Sequence, residues 1–223
     1  MSETQARQFV GLVRERAKGK IESPILETLL LFKPDYEKRP EREFLDGYKY
    51  KYTTNGKGKA KGVAFSIEIP KTWAAKEGNR PNIVQKFVSE NGRGFELLLV
   101  LIGEIPLQLG EIITEKDVAE TLNPDDIKDF LPDGSKYINS GKLTLENLPG
   151  FWVQFKINMS RLRYSVGMEG VMYVIFYKNK MIQIQGQVMT SVNGKPMDRG
   201  GLRKYEKLFD LMANSFVIAN LYK

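Results

Sequence analysis

The chain has 223 residues and a formal charge of +7, with 42% hydrophobic and 27% charged residues, and it contains neither cysteine nor histidine. Without cysteine there are no disulfides, thiolate nucleophiles or zinc–thiolate centres, and without histidine the serine–histidine triad, the cysteine–histidine pair and the histidine zinc site are excluded. A general base would have to be a carboxylate or lysine moved far from its ordinary titration range.

Residues 1–20 carry Phe9, Leu12 and Val13 among charged residues, which predicts a weak helix. Ser23-Pro24 then places an N-cap and a first-turn proline before Ile25, Leu26, Leu29, Leu30 and Phe32, so a second short helix is expected to pack on the main domain. The charged stretch from Lys33 to Glu43, with its two prolines, reads as a linker. These observations divide the chain into an N-terminal helical extension and linker over 1–43 and one domain over 44–223.

From Phe44 the period becomes two. Tyr48, Tyr50 and Tyr52 alternate with Lys49 and Lys51, and after Asn55-Gly56 and a glycine–lysine loop Val63, Phe65, Ile67 and Ile69 alternate again. This predicts a hairpin ended by Pro70, with the tyrosines on the core face and the lysines guarding an edge. Further strands are expected over 82–90 and 95–105, joined by a turn at Asn91 to Gly94. The unbroken apolar run from Leu97 to Ile102 predicts a strand covered on both faces, and it is too short to span a bilayer, which takes about 20 residues. Thr114 caps a helical stretch that ends at Leu131-Pro132. Strands follow over 136–146, 150–163, 165–177 and 181–189, with breaks at Leu148-Pro149-Gly150 and at Lys178 to Lys180. Last, Leu202, Tyr205, Phe209, Met212 and Phe216 recur at helical spacing, so 198–216 reads as an amphipathic helix. Consecutive hairpins with segregated helices give an α+β fold: an antiparallel sheet with the C-terminal helix on one face and the 114–131 and N-terminal helices on the other.

Four segments in this order resemble PsbP-like domains: Phe65 to Trp73, Leu148 to Trp152, Lys178 to Gln187, and Phe209 to Phe216. The resemblance spans roughly residues 44–219 and implies an α/β/α sandwich. The superfamily includes photosystem II extrinsic proteins, DcrB-like envelope proteins, Ran-binding nuclear-transport factors and chaperones of secreted effectors. It implies a non-catalytic module that binds or assembles another protein in a bacterial envelope. A cytoplasmic adaptor covering an apolar client segment, a carboxylate-dependent enzyme and an anionic-surface binder are the other readings.

No phosphate-binding loop, dinucleotide fingerprint or serine–lysine hydrolase motif is present, and no cofactor or metal is expected. Asp125-Asp126 suits a helix N-terminus. The excess positive charge sits in residues 1–62. Lys49, Lys51, Lys57, Lys59 and Lys61, with Arg161 and Arg163 on a later strand, are the candidate contacts for an anionic partner. Nucleic acid is not expected, because alternation along the strand turns the tyrosines away from the lysines. Met1 to Gln8 are polar, so the sequence implies either a cytoplasmic protein or one exported after loss of a signal.

Overall fold

The computed structural model describes residues 38–108, 111–161, 164–197 and 200–222. The helices expected before residue 33 lie outside these residues, as does Arg163. A short helix, α1 (Glu41–Leu45), precedes β1 (Lys49–Thr54), and Glu41 and Glu43, from the expected linker, are buried. β1 pairs antiparallel with β2 (Phe65–Pro70), Tyr50 opposite Ile69 and Tyr52 opposite Ile67. Between them, Gly58–Ala60 forms a turn of 3-10 helix whose Ala60 is fully buried, in place of the flexible loop that its glycines and lysines suggest.

The period-two segments form two sheets rather than the single sheet expected. The larger runs β3 (Ala74–Lys76), β4 (Ile83–Val88), β5 (Glu96–Glu104), β9 (Lys180–Val192), β8 (Tyr164–Tyr177), β7 (Leu148–Arg161), β6 (Ser135–Leu145), with β10 (Lys195–Pro196) on β9. The smaller runs β1, β2, β11, because β11 (Val217–Ile218) takes the free edge of β2. With partners on both sides, β2 has no edge left to offer the larger sheet. The α+β class stands.

Two other expectations change in detail. The break at Leu148-Pro149-Gly150 is the start of β7, with Pro149 opposite Thr144, and the reversal falls on Glu146 and Asn147, whose φ values are 54° and 59°. Positive φ at both central residues is what a two-residue hairpin turn requires. β5 is not covered on both faces: Leu98, Val100 and Ile102 are fully buried, whereas Leu97, Leu99 and Leu101 are half-buried.

The first face of the large sheet holds the main core. Helix α3 (Gly201–Asn214) lies on it beside the small sheet, burying Leu202, Leu208, Phe209 and Met212 against Ile182, Ile184, Val171 and Tyr173. The small sheet is tied in by Phe65 against Phe216 (ring centroids 4.9 Å apart) and by Tyr52 edge-on to Phe87 (5.3 Å). Tyr52 Oη also donates to Gln85 Oε1 at 2.9 Å. The tyrosine strand therefore faces the core, and β1 is an edge strand as its lysines suggest. Gly200 gives α3 no side-chain cap; the Glu169 carboxylate of β8 accepts from Leu202 N at 2.9 Å and stands at the positive end of the helix dipole.

The second face is covered unevenly. Helix α2 (Glu115–Thr121), opened by a capping box between Thr114 and Asp117, and the 3-10 turn Asp126–Phe130 place Val118, Ile127 and Leu131 over Phe151, Phe155 and Met172. Among the described residues this cover centres on β7 and β8, reaches Met181 at the start of β9, and leaves Leu97, Leu99 and Leu101 of β5 half-buried.

Gly186 fixes the seat of α3: a Cβ built there would lie 2.4 Å from Cγ of Phe209. Gly186→Ala should lower the urea midpoint, at a cost of about 1–3 kcal/mol, and Phe209→Leu should recover part of it. An unchanged midpoint would mean that the helix does not sit there.

Candidate functional site

The described residues enclose several concave regions, among them the following. The first, about 250 Å³, lies between α3 and the strands β6 to β8, walled by Leu143, Trp152 and Tyr173 and rimmed by Glu206 and Asp210. Its polar groups answer one another. Tyr173 Oη donates to Asp210 Oδ1 at 2.5 Å, and Gln154 Nε2 donates to Glu206 Oε1 at 2.6 Å. Burial pushes the Tyr173 phenol far above its ordinary value, and the hydrogen bond to Asp210 adds to this, so the phenol stays a donor.

The second, about 360 Å³, lies between α1, the β2–β3 link, and the turn between β4 and β5. It holds two buried carboxylates. Glu43 accepts from Thr72 N at 2.8 Å on one oxygen and from Thr72 Oγ1 at 2.6 Å on the other. Glu96, 1% exposed, accepts from Ser89 Oγ at 2.5 Å. The adjoining turn puts Glu90 and Asn91 at φ 50° and 55°, and Asn91 N donates to Thr72 O at 2.6 Å. Burial raises the Glu43 pKa above 4.5 and outweighs the opposing hydrogen bonds from Thr72.

The third, about 330 Å³, lies on the second face where α2 and the 3-10 turn end. Strand alternation makes it. Ile182 and Ile184 point into the main core, so Gln183, Gln185 and Gln187 share the opposite side of β9. Register places Gln183 beside Leu101, and Gln185 between Leu99 and Met172. Met168, Ile157 and Phe130 close one wall, Arg80 and Asn82 stand at the rim, and Met159 is 46% exposed. Gln185 is 4% exposed, yet its Nε2 has no hydrogen-bond partner among the described residues, and the same holds for Ser135 Oγ opposite Ile157 on this side of the sheet. A buried polar group left unmatched costs about 1–3 kcal/mol.

The basic residues picked out from the sequence stand apart from these cavities. Lys49 pairs with Glu68 at 2.6 Å and lies over the Phe44 ring. Lys59 donates to Gly78 O at 2.5 Å and pairs with Glu77 at 3.4 Å. Lys51 and Lys57 are exposed, Lys61 ends the 3-10 turn, and Arg161 ends β7 in the other sheet. Among the described residues no three carboxylates are grouped to hold a metal ion, and no helix is long and apolar enough to cross a membrane.

Residue-by-residue reading missed the glutamine row. Its signal was present in Ile182-Gln-Ile-Gln-Gly-Gln187, an apolar/amide alternation in which the polar side carries no charge.

No protein-family model matches this chain, and no curated protein does. Solved structures do. The solution structure of cyanobacterial PsbP from Synechocystis sp. PCC 6803 is 18% identical, with 77% of this chain and 92% of that chain covered and a TM-score of 0.43. The crystal structure of LpqN, described as involved in cell envelope biogenesis of Mycobacterium tuberculosis, is 12% identical, with 83% and 99% covered and a TM-score of 0.46. These likenesses include the PsbP-like fold that the sequence motifs resemble, and they bring no site residues with them.

The sign of the Glu43 effect can be checked. A carboxyl with a raised folded pKa binds its proton more tightly folded than unfolded, so its contribution is fully present below pH 4.5 and is lost as pH rises through the folded value. Glu43→Gln removes that loss. In urea unfolding, the variant should gain on the parent between about pH 4 and about pH 7; parallel stability curves would show that burial does not control this group.

Proposed function

We propose that this chain is a non-catalytic binding module that takes an apolar segment of another protein on the half of the second face of its large sheet that the described helices leave uncovered. The observation that carries this is the buried, unpartnered Nε2 of Gln185, set among half-buried Leu99 and Leu101 and a row of methionines. Apolar side chains give such a surface its affinity, and amides between them give direction to a bound backbone. Methionine suits the role because its flexible thioether moulds to different partners.

A non-catalytic role is supported by how the carboxylates beside the first two cavities are held. Both Glu43 oxygens are taken by Thr72, and Glu206 and Asp210 accept from Gln154 and Tyr173. A general acid or base needs an oxygen turned toward substrate. The resemblance of the four sequence segments supports a bacterial envelope as the setting.

A photo-crosslinking amino acid at Gln183 should form an adduct with a partner protein in the native host, mapped by mass spectrometry to an apolar stretch. Leu99→Glu, which sets a charge on the same face, should cut the yield about tenfold under conditions where urea unfolding shows the variant still folded. Absence of an adduct, or one insensitive to Leu99→Glu, overturns the reading.

A further inference from the structure

Resting on that reading, we propose that the occupant of the open face is the extended, apolar carboxyl-terminal end of a partner protein, with its terminal carboxylate on Arg80 and a main-chain carbonyl on Gln185 Nε2. Three observations converge on this chemistry.

First, the unmatched group is a donor. The Gln185 amide is enclosed at the floor of the cavity and its Nε2 has no acceptor among the described residues, so a peptide group, which offers both a carbonyl and an N–H, is the occupant that can match it once the floor opens. Second, Gln183, Gln185 and Gln187 repeat every second residue along β9, which is a spacing of about 6.7 Å. An extended peptide repeats its like-facing carbonyls at the same interval. A fatty chain carries oxygen at one end only and would leave most of the row without a use.

Third, the rim carries one sign of charge. Arg80 lines the cavity, is exposed, and makes no ion pair among the described residues, whose bridges all lie elsewhere. Within the cavity lining there is no Asp, Glu or Lys. A guanidinium facing an apolar groove selects a carboxylate, which it can hold through two parallel hydrogen bonds. The leucines, methionines and Phe130 supply the apolar complement for the last side chains of the segment.

The test uses the full chain and two synthetic peptides, acetyl-Ser-Gly-Leu-Val-Leu-Val with a free carboxylate and the same peptide as its amide, measured by titration calorimetry. The acid should bind about tenfold tighter than the amide. Arg80→Gln should erase that difference and leave amide binding unchanged; Arg80→Lys should keep part of it. Gln185→Leu, which fills the same space without a donor, should weaken both peptides by about two- to tenfold. Because Arg80 is exposed, its variants are expected to keep the parent's unfolding midpoint, which is checked alongside.

Equal binding of acid and amide, both lost in Leu99→Glu, would overturn the carboxylate assignment and leave the binding module standing. If neither peptide binds while crosslinking at Gln183 still reports a partner, the chain-terminus assignment is overturned in the same way. Octanoate competing as well as the acid peptide would overturn the peptide in favour of a lone carboxylate on an apolar chain.

Discussion

The contact on which the architecture depends is the Phe209 ring lying on the bare backbone of Gly186. A helix can approach a sheet this closely only where a strand lacks a side chain, and the ring then fills the space that a Cβ would claim. With α3 seated at that depth, Leu202, Leu208 and Met212 reach the strands β8 and β9, and Tyr205 packs beside Phe209. Phe216, just past the helix, is then placed to receive Phe65 of the small sheet. One face of the large sheet is thereby sealed by α3 and the small sheet together. The described cover on the opposite face centres on β7 and β8, and that asymmetry underlies the proposed docking surface.

Polar economy separates the two faces as well. On the sealed side, exposed Asp210 accepts from buried Tyr173, and half-buried Glu206 and Glu169 accept from Gln154 and from Leu202 N, with Lys156 at 2.7 Å from Glu169. Low local polarity strengthens such pairs and makes an unmatched group expensive. Gln185 Nε2 is, with Ser135 Oγ, a buried atom left unmatched among the described residues. It faces away from the sealed core, toward the half of the molecule where α2 and the 3-10 turn give out.

Much of this arrangement was legible in the sequence. Alternation at Tyr48 to Tyr52 and at Phe65 to Ile69 placed a hairpin, the Thr114 cap placed a helix start, and the spacing of Leu202, Phe209 and Met212 placed the core side of α3. What was not legible was long-range. Nothing local tells Val217 that it will pair with Ser66, so a division into two sheets could not be read. The run Leu97 to Ile102 is apolar at every position, and such a run does not reveal that one of its faces stays half-open. Leu148-Pro149-Gly150 carried the residues of a turn, yet Glu146 and Asn147 took the positive φ values because the register of β6 and β7 closes there. The glutamine row was hidden in plain composition: glutamine is unremarkable in any one position, and only the strand period gathers Gln183, Gln185 and Gln187 onto one side.

The pairing of β11 with β2 also governs when the protein can finish folding. Val217 and Ile218 lie some 150 residues from Ser66 and Phe65, and Ala219 N closes onto Ala64 O at 2.8 Å. The hairpins β6–β7, β7–β8 and β8–β9 are local and can form as they are synthesised, whereas the small sheet must wait for residues 217–219 to leave the ribosome. Until then Phe65, Ile67 and Ile69 have no complete shelter, and a nascent chain stalled before this point would present them to chaperones. The last turn of the molecule thus acts as a latch, set only when translation has passed it.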